Sequence, residues 1–176
     1  GTNSGTVYYF TRSGTTWTKQ QILLHDGTNV AQENFGIVIA MNGDSEMFIT
    51  STRPSGGTYT YEGVVSRWTR VGSTWTQQEN IYAPAGEITG NSFTFGKNAV
   101  CASNDLLCVS SYKTGINHMY CYARNGNTFD LKSTLDVSNA SISKAAGSVL
   151  EDCVIVDDAY LVIGNTRGED ISTGTA

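Results

Sequence analysis

Cysteine chemistry is the most specific chemistry in this sequence, and all four cysteines lie in its second half. Cys101 and Cys108 flank the six-residue segment Ala-Ser-Asn-Asp-Leu-Leu. A turn centred on Asn104-Asp105 would place these two cysteines opposite each other on paired strands, where their sulfur atoms can bond if the pair is closely spaced. We therefore predict a Cys101–Cys108 disulfide, with Cys121 and Cys153 as the second pair.

Other pairings of the four cysteines are open at this point. Three connectivities exist, because Cys121 and Cys153 can also exchange partners with the first two. Four reduced thiols in the core of a cytosolic protein are a further alternative, since cysteine is a good small apolar residue. Disulfides persist in oxidising compartments, so the predicted bonds favour a protein that matures outside the cytosol.

Catalysis is not indicated by the side chains that commonly perform it. The sequence has two histidines, His25 and His118, and neither lies in a recognisable nucleophile motif. No glycine-rich phosphate loop follows a predicted strand and begins a helix. We predict that the chain is not an enzyme and that it carries no cofactor.

A calcium site would need several oxygen ligands within one short loop. The loops at 25–34 and 82–91 do not place carboxylates at alternate positions before a glycine. A weak site around Asp26, Asn29 and Glu33 is the alternative. We predict no bound metal.

The elements that position these residues are predicted to be β-strands. The chain has 19 Gly, only 2 Pro and many Thr, Ser, Tyr and Val residues, whereas the residues that favour helices are few. Its net charge is -5 and its 11 Lys and Arg residues are scattered, which argues against nucleic acid as a partner. No apolar stretch approaches the ~20 residues that span a bilayer, so we expect no membrane insertion.

One hairpin recurs along the chain. The segment Gly5-Thr-Val-Tyr-Tyr-Phe10 is matched 58 residues later by Gly63-Val-Val-Ser-Arg-Trp68, and a third, more divergent copy begins near Met119. Each copy has a glycine where the turn of a hairpin needs a residue that tolerates a positive φ. The corresponding positions are Phe10, Trp68 and Tyr122, then Gly14, Gly72 and Gly126, then Trp17, Trp75 and Phe129.

A second hairpin lies between these copies. Phe35-Gly36 and Phe95-Gly96 each precede an apolar strand, a turn with an aspartate and a second apolar strand, and a third copy covers 154–164. Each period of about 40–60 residues therefore holds about four short strands, which is typical of a propeller blade. An aspartate in such a turn can accept hydrogen bonds from the turn's own backbone, so we interpret three carboxylates as structural: Asp44, Asp105 and Asp158.

This combination resembles the FG-GAP repeat, a β-propeller repeat related to the blades of integrin α-subunits. The shared motifs are Phe-Gly before an apolar strand, a Gly-Asp or Asn-Asp turn, and the Val-Tyr-x-Phe hairpin with Gly-x-x-Trp-Thr. The resemblance implies an all-β fold of about three four-stranded antiparallel blades, at about 5–62, 63–116 and 117–173. Because rings close with about four to eight blades, we expect a fragment of a longer propeller or a ring that further chains complete.

The recurring aromatic residues are predicted to form the core between blades. Each blade is covered on both faces by its neighbours, so an aromatic side chain at the same place in every repeat should pack against the next blade. We therefore expect Trp17 and Trp75 to be equivalent core residues. The full set is Tyr8, Phe10, Trp17, Trp68, Trp75, Tyr120, Tyr122 and Phe129.

The function that this pattern favours is a non-catalytic structural or adhesive module of an extracellular or cell-surface assembly, such as a fibre, appendage, coat or adhesin. Its partners would be proteins, including further copies of itself, and glycans. The Asn139-Ala-Ser sequon is a candidate glycosylation site and also favours the outside of a cell. The alternative is a propeller that binds a glycan or protein at its ring mouth, through loops 25–34, 53–62 and 82–94 and the non-recurring residues His25, Tyr59, Glu87 and Tyr112.

Overall fold

The computed structural model describes residues 4–25, 31, 33–52, 62–87, 94–113, 116–136 and 150–165. Tyr59, Asn139, Asp26 and Asn29, which the sequence analysis singled out, lie outside these residues. The described part of the chain forms twelve β-strands and no α-helix. The strands are β1 (Val7–Ser13), β2 (Thr16–Leu23), β3 (Ile39–Asn42), β4 (Glu46–Ser51), β5 (Val64–Val71), β6 (Thr74–Ile81), β7 (Thr94–Ala102), β8 (Leu106–Lys113), β9 (Ile116–Asn125), β10 (Thr128–Asp136), β11 (Leu150–Val156) and β12 (Tyr160–Asn165).

These strands form two four-stranded sheets and two separate hairpins. The first sheet has the order β3-β4-β5-β6 and the second the order β7-β8-β9-β10, and neighbouring strands are antiparallel throughout. The hairpins are β1–β2 and β11–β12. The predicted all-β fold with four-stranded antiparallel sheets is confirmed. Each complete sheet joins one Phe-Gly hairpin to the recurring hairpin that follows it in the sequence.

A recurring backbone contact explains why glycine and Phe-Gly both repeat. The N–H of Phe35 donates to the carbonyl of Ser4 at 2.9 Å, and the N–H of Phe95 donates to the carbonyl of Glu62 at 3.3 Å. A Cβ atom added at Gly5 or at Gly63 would lie 2.2 or 2.0 Å from the carbonyl oxygen of the same phenylalanine. Only glycine permits so close an approach, and it also has the positive φ that both positions adopt.

Apolar clusters hold the sheets in a stack. Val7 and Leu23 of the first hairpin pack with Trp68 and Trp75 of the first sheet. A second cluster joins the two sheets, where the Phe48 and Phe129 rings meet edge to face at 5.4 Å. A third cluster joins the second sheet to β11–β12 through cysteines and aliphatic residues. Each sheet therefore has apolar residues on both faces.

Trp17 departs from the predicted core. Trp75 and Phe129 are 3% and 9% exposed, as predicted, whereas Trp17 is 64% exposed. All three occupy the same place on the face that looks toward the preceding sheet. No described sheet precedes β1–β2, so Trp17 has nothing to pack against, and Tyr8 and Phe10 are exposed for the same reason. The prediction of an equivalent Trp17–Trp75 core is wrong for Trp17.

This difference predicts a large loss of stability at one of two aligned positions and a small change at the other, for the same substitution. Trp75→Ala removes a buried aromatic side chain and should lower the free energy of unfolding by about 3–5 kcal/mol. Trp17→Ala should change it by less than about 1 kcal/mol, since the Trp17 side chain is largely exposed and its ring faces the Arg12 guanidinium at 5.9 Å. Urea unfolding of the two variants provides the comparison, and equal losses would contradict the stacking order.

The cysteines form two bonds, but not with the predicted partners. Cys101 and Cys108 do lie opposite each other on β7 and β8, so the predicted register is confirmed. The predicted Cys101–Cys108 disulfide is nevertheless wrong. Cys101 bonds Cys153 on β11, with the Cα atoms 5.6 Å apart, and Cys108 bonds Cys121 on β9, with the Cα atoms 4.3 Å apart.

The reason lies in the two kinds of antiparallel pair. Hydrogen-bonded pairs, about 5.5 Å apart, alternate along a ladder with closer pairs that make no hydrogen bonds, about 4.5 Å apart. The Ser103 N–H donates to the Leu106 carbonyl at 2.9 Å, which makes that pair hydrogen-bonded. Cys101 and Cys108 lie two residues further along the same ladder and are therefore also a hydrogen-bonded pair, the kind whose side chains lie further apart.

In the neighbouring β8–β9 ladder, Cys108 belongs to the other kind of pair, the one without hydrogen bonds. The Arg124 N–H donates to the Asp105 carbonyl at 2.8 Å, so three residues further along Cys108 faces Cys121 in a closely spaced pair. Cys108 therefore bonds Cys121, and Cys101 bonds across the stack to β11.

Two matched double variants should separate the contributions of these bonds. Removing Cys101–Cys153, which spans 52 residues, should cost about 4 kcal/mol by loop-closure entropy, and removing Cys108–Cys121, which spans 13, about 3 kcal/mol. Paired alanine substitutions and urea unfolding measure both values. Non-reducing peptide mapping of the parent chain should recover these two bonds, and a peptide that joins Cys101 to Cys108 would contradict the structure.

Candidate assembly surfaces

His25, predicted as a ligand contact, is 1% exposed and lies just after β2. Its Nδ1 contacts the carboxylate of Glu33, its Nε2 lies 3.1 Å from Oδ1 of Asn80, and its ring stacks on Phe35 with centroids 5.9 Å apart. The imidazole thus ties the segment after β2 to strand β6. Sequence reasoning missed Glu33 as its partner because that carboxylate showed no recurring spacing.

Glu87 lies beside the second sheet, and Tyr112 lies within it. Glu87 occupies the turn after β6 and is hydrogen-bonded to the hydroxyl of Tyr120. Burial, aided by the charge of Glu87, raises the pKa of Tyr120 to about 12, so the phenol stays protonated near neutral pH. His118 Nδ1 lies 3.1 Å from the same hydroxyl. Tyr112 is half-buried on β8.

A cavity of about 690 Å³ lies between β2 and β6, and none of the three described ligand candidates, His25, Glu87 and Tyr112, lines it. Gln21 closes part of it, since its side-chain amide donates to the Trp75 carbonyl at 2.9 Å and accepts from the Trp75 N–H at 2.7 Å. Trp75 Nε1 and Glu79 Oε1 are buried in its wall without a hydrogen-bond partner. A ligand could form hydrogen bonds with both of these buried atoms.

A buried ion cluster joins the two sheets. Glu46 accepts from Arg67 Nε at 2.6 Å and from an Arg124 guanidinium nitrogen at 2.5 Å, and Asn42 donates to it at 2.6 Å. Arg67 also donates to the Asn127 carbonyl at 2.9 Å. Burial alone would raise the pKa of Glu46, but the hydrogen bonds from Arg124, Asn42 and Arg67 outweigh it and lower that pKa.

Glu79 lies opposite Arg67 on β6 and responds in the other direction. Burial raises the pKa of Glu79 by more than the nearby charges of Arg67 and Arg124 lower it. Both carboxylates therefore serve the packing between strands and sheets.

Apolar side chains are exposed on one side of the stack, along β1, β2 and β3. Ile39 is 46% exposed, whereas Val100, which has the same register in the second sheet, is 6% exposed. Trp17 differs from its equivalents in the same way. We call this side the leading surface, and its members are Tyr8, Phe10, Trp17, Ile39 and Met41.

The opposite side of the stack shows the complementary exposure. Leu135 is 39% exposed, although the equivalent Leu23 and Ile81 are 1% and 7% exposed. Val154 and Val162 form a cross-strand pair equivalent to two buried pairs, Ala40–Phe48 and Cys101–Cys108, yet both are exposed. We call this side the trailing surface, and its members are Leu135, Val154, Val156, Tyr160 and Val162.

Both surfaces border open sheet edges and carry charges of opposite sign. β1 and β12 each pair with one strand only among the described residues. Arg12 and Lys19 lie over the Trp17 and Tyr8 rings of the leading surface. Asp152 shares the exposed face of Val154. An exposed edge beside an apolar face is a template for pairing with another strand.

Among the described residues, no group of three or more His, Cys, Asp and Glu side chains is placed to hold a metal ion. The same residues include no helix with the length and apolar character needed to cross a membrane. No family model matches the chain, and searches of curated proteins and of solved structures found no significant similarity. The FG-GAP resemblance stays a prediction from the sequence.

The two carboxylates predict opposite pH dependences of stability. The lowered pKa of Glu46 contributes stability that is present above the ordinary value of 4.5 and is lost as the pH falls through the lowered pKa. The raised pKa of Glu79 instead removes stability as the pH rises from 4.5 through the raised value.

Near pH 7, Glu46→Gln should therefore lower the free energy of unfolding, by about 3 kcal/mol, because it leaves the buried guanidinium of Arg67 and the partly buried one of Arg124 without their counter-charge. Glu79→Gln should raise it and flatten its decline above pH 4.5. Urea unfolding of both variants between pH 4.5 and pH 7 tests the directions of the two pKa shifts. The assignment fails if the two substitutions shift the free energy of unfolding in the same direction near pH 7.

Proposed function

We propose that the chain is a non-catalytic structural module of an extracellular or cell-surface assembly, and that its sheets are consecutive blades of a β-propeller of the FG-GAP type. The observation that carries the proposal is the contrast between aligned positions. Side chains that are buried inside the stack are exposed at its two sides, on the leading and trailing surfaces. Such surfaces are stable in water when other sheets cover them.

The disulfides support the location. Two bonded cysteine pairs indicate an oxidising environment. Partner proteins in this setting would contact the leading and trailing surfaces rather than the described ligand candidates, since His25 is buried against Glu33 and Asn80.

Glycan binding is the second candidate function, and the cavity between β2 and β6 favours it. Trp75 and Glu79 each present a buried polar atom without a partner in the wall of this cavity. Sugar hydroxyl groups both donate and accept hydrogen bonds, and the rest of the wall is rich in glutamine and asparagine amides.

Oxidative footprinting of the protein in its native material tests the assembly function. Trp17 and Met41 should be oxidised several-fold more slowly there than in the dilute 176-residue chain, because other sheets cover the leading surface. Buried Trp75 and Met47 are the matched internal controls and should react slowly in both samples.

Equal oxidation of Trp17 and Met41 in the two samples would refute the assembly function. A lower oxidation rate of Trp75 or Glu79 after oligosaccharide is added, with the oxidation rate of Trp17 unchanged, would instead favour the glycan-binding function.

A further inference from the structure

The two separate hairpins correspond in kind to the two halves of one four-stranded sheet. In both complete sheets a Phe-Gly hairpin is followed by a recurring hairpin, joined by the β4–β5 and β8–β9 ladders. Among the described residues, β11–β12 is a hairpin of the first kind that is not joined to one of the second kind, and β1–β2 is one of the second kind that is not joined to one of the first. β12 and β1 correspond to the strands of the joining ladders, and each has an open edge among the described residues.

We propose that β12 of one copy of this chain pairs antiparallel with β1 of a second copy, which forms a shared sheet of order β11-β12-β1-β2. This inference rests on the proposed assembly function and names the partner as a second copy. The two complete sheets supply its geometry, because each already contains the same junction within one chain.

The register of the shared ladder follows from the internal ones. Met47 lies opposite Trp68 in the first sheet, and Leu107 lies opposite Tyr122 in the second. Leu161 corresponds to Met47 and Leu107, since it opposes Ile155 after the same turn. Leu161 of one copy should therefore lie opposite Phe10 of the next, because Phe10 is the repeat equivalent of Trp68 and Tyr122.

An arginine marks the same junction in all three repeats. Arg70 donates from Nε to the carbonyl of Asp44 at 2.8 Å, and Arg124 donates from Nε to the carbonyl of Asn104 at 2.6 Å. Each arginine thus binds the turn of the hairpin that completes its own sheet. Arg12 is the third member of this series, and among the described residues its Nε instead donates to Gly14 within its own hairpin. In the shared sheet Arg12 would meet the turn at Asp158 of the other copy.

The exposed faces match once the sheet is shared. Trp17 of the second copy would cover Leu135 of the first, as Trp75 and Phe129 cover the equivalents of Leu135 inside the stack. Val154 and Val162 of the first copy would face Ile39 and its neighbours in the second. The trailing surface of one copy is therefore buried by the leading surface of the next.

Two copies joined in this way would form six four-stranded sheets, two complete ones from each copy and two shared ones. Propeller rings close with about four to eight blades, so a closed dimer is the expected product. Head-to-tail contacts that do not close would instead give longer oligomers with the same ladder.

Cysteine trapping tests the register. Val162 and Tyr9 correspond to Cys108 and Cys121, which already form a disulfide across the β8–β9 ladder. A mixture of the single variants Val162→Cys and Tyr9→Cys in a glutathione redox buffer should give a mixed dimer bonded through these two positions. Tyr8→Cys is the matched control, because its side chain points to the opposite face of β1 and should not bond.

Sedimentation of the parent 176-residue chain keeps the proposal testable if Tyr9→Cys folds poorly. The parent should associate at concentrations up to about 0.1 mM, and Arg12→Gln should weaken that association about tenfold or more. Lys97→Gln removes the same charge from an exposed site on β7, a strand that belongs to neither surface, and should leave association unchanged.

A monomeric parent chain, or trapping with Tyr8→Cys in place of Tyr9→Cys, would overturn the shared sheet. Those results leave the assembly function standing if Trp17 and Met41 are still protected in native material, since a different partner would then cover them. If Trp17 and Met41 are not protected in native material, both the shared sheet and the assembly function are refuted.

Discussion

Every described sheet of this protein is apolar on both faces, and this constraint governs the rest of the structure. A sheet with one solvent-exposed face needs a single neighbour, but a sheet that is apolar on both faces needs two. The chain meets the requirement in its interior, where aromatic and aliphatic residues from consecutive sheets form three clusters. At the two sides of the stack the requirement is unmet within the described residues. Exposure of Trp17 and Val162 follows directly from that, because their equivalents inside the stack are buried.

Between these apolar layers, a few polar contacts fix the relative position of two neighbouring elements. Glu46 receives hydrogen bonds from both sheets, and His25 joins the segment after β2 to β6. Buried charges of this kind add little net stability compared with apolar packing, but they disfavour alternative arrangements that would leave them unpaired. Register between sheets is thus set by a few polar pairs, while most of the stabilisation comes from the clusters.

The sequence was sufficient for the features that depend on local spacing. Gly14 and Gly72 mark the hairpin turns, and the position of Asn104-Asp105 places Cys101 opposite Cys108. It failed where the outcome depended on a neighbouring element. The disulfide partner of Cys108 follows from hydrogen-bond phase in the β8–β9 ladder, which residue spacing within β7–β8 does not reveal. Trp17 was misplaced for a related reason, since repetition identifies the face that a residue occupies but not whether anything covers that face.

The Cys101–Cys153 bond has a mechanical consequence. It connects β7 to β11 and so bypasses the three strands between them, β8, β9 and β10. Tension applied along the chain would pass from β7 to β11 through the sulfur atoms, and the 52-residue loop would carry no load while the bond is intact. About 180 Å of contour length is therefore withheld from extension until the bond is reduced. In an oxidising environment the second sheet is the part of the protein that resists pulling, and its compliance is set by redox chemistry rather than by folding stability.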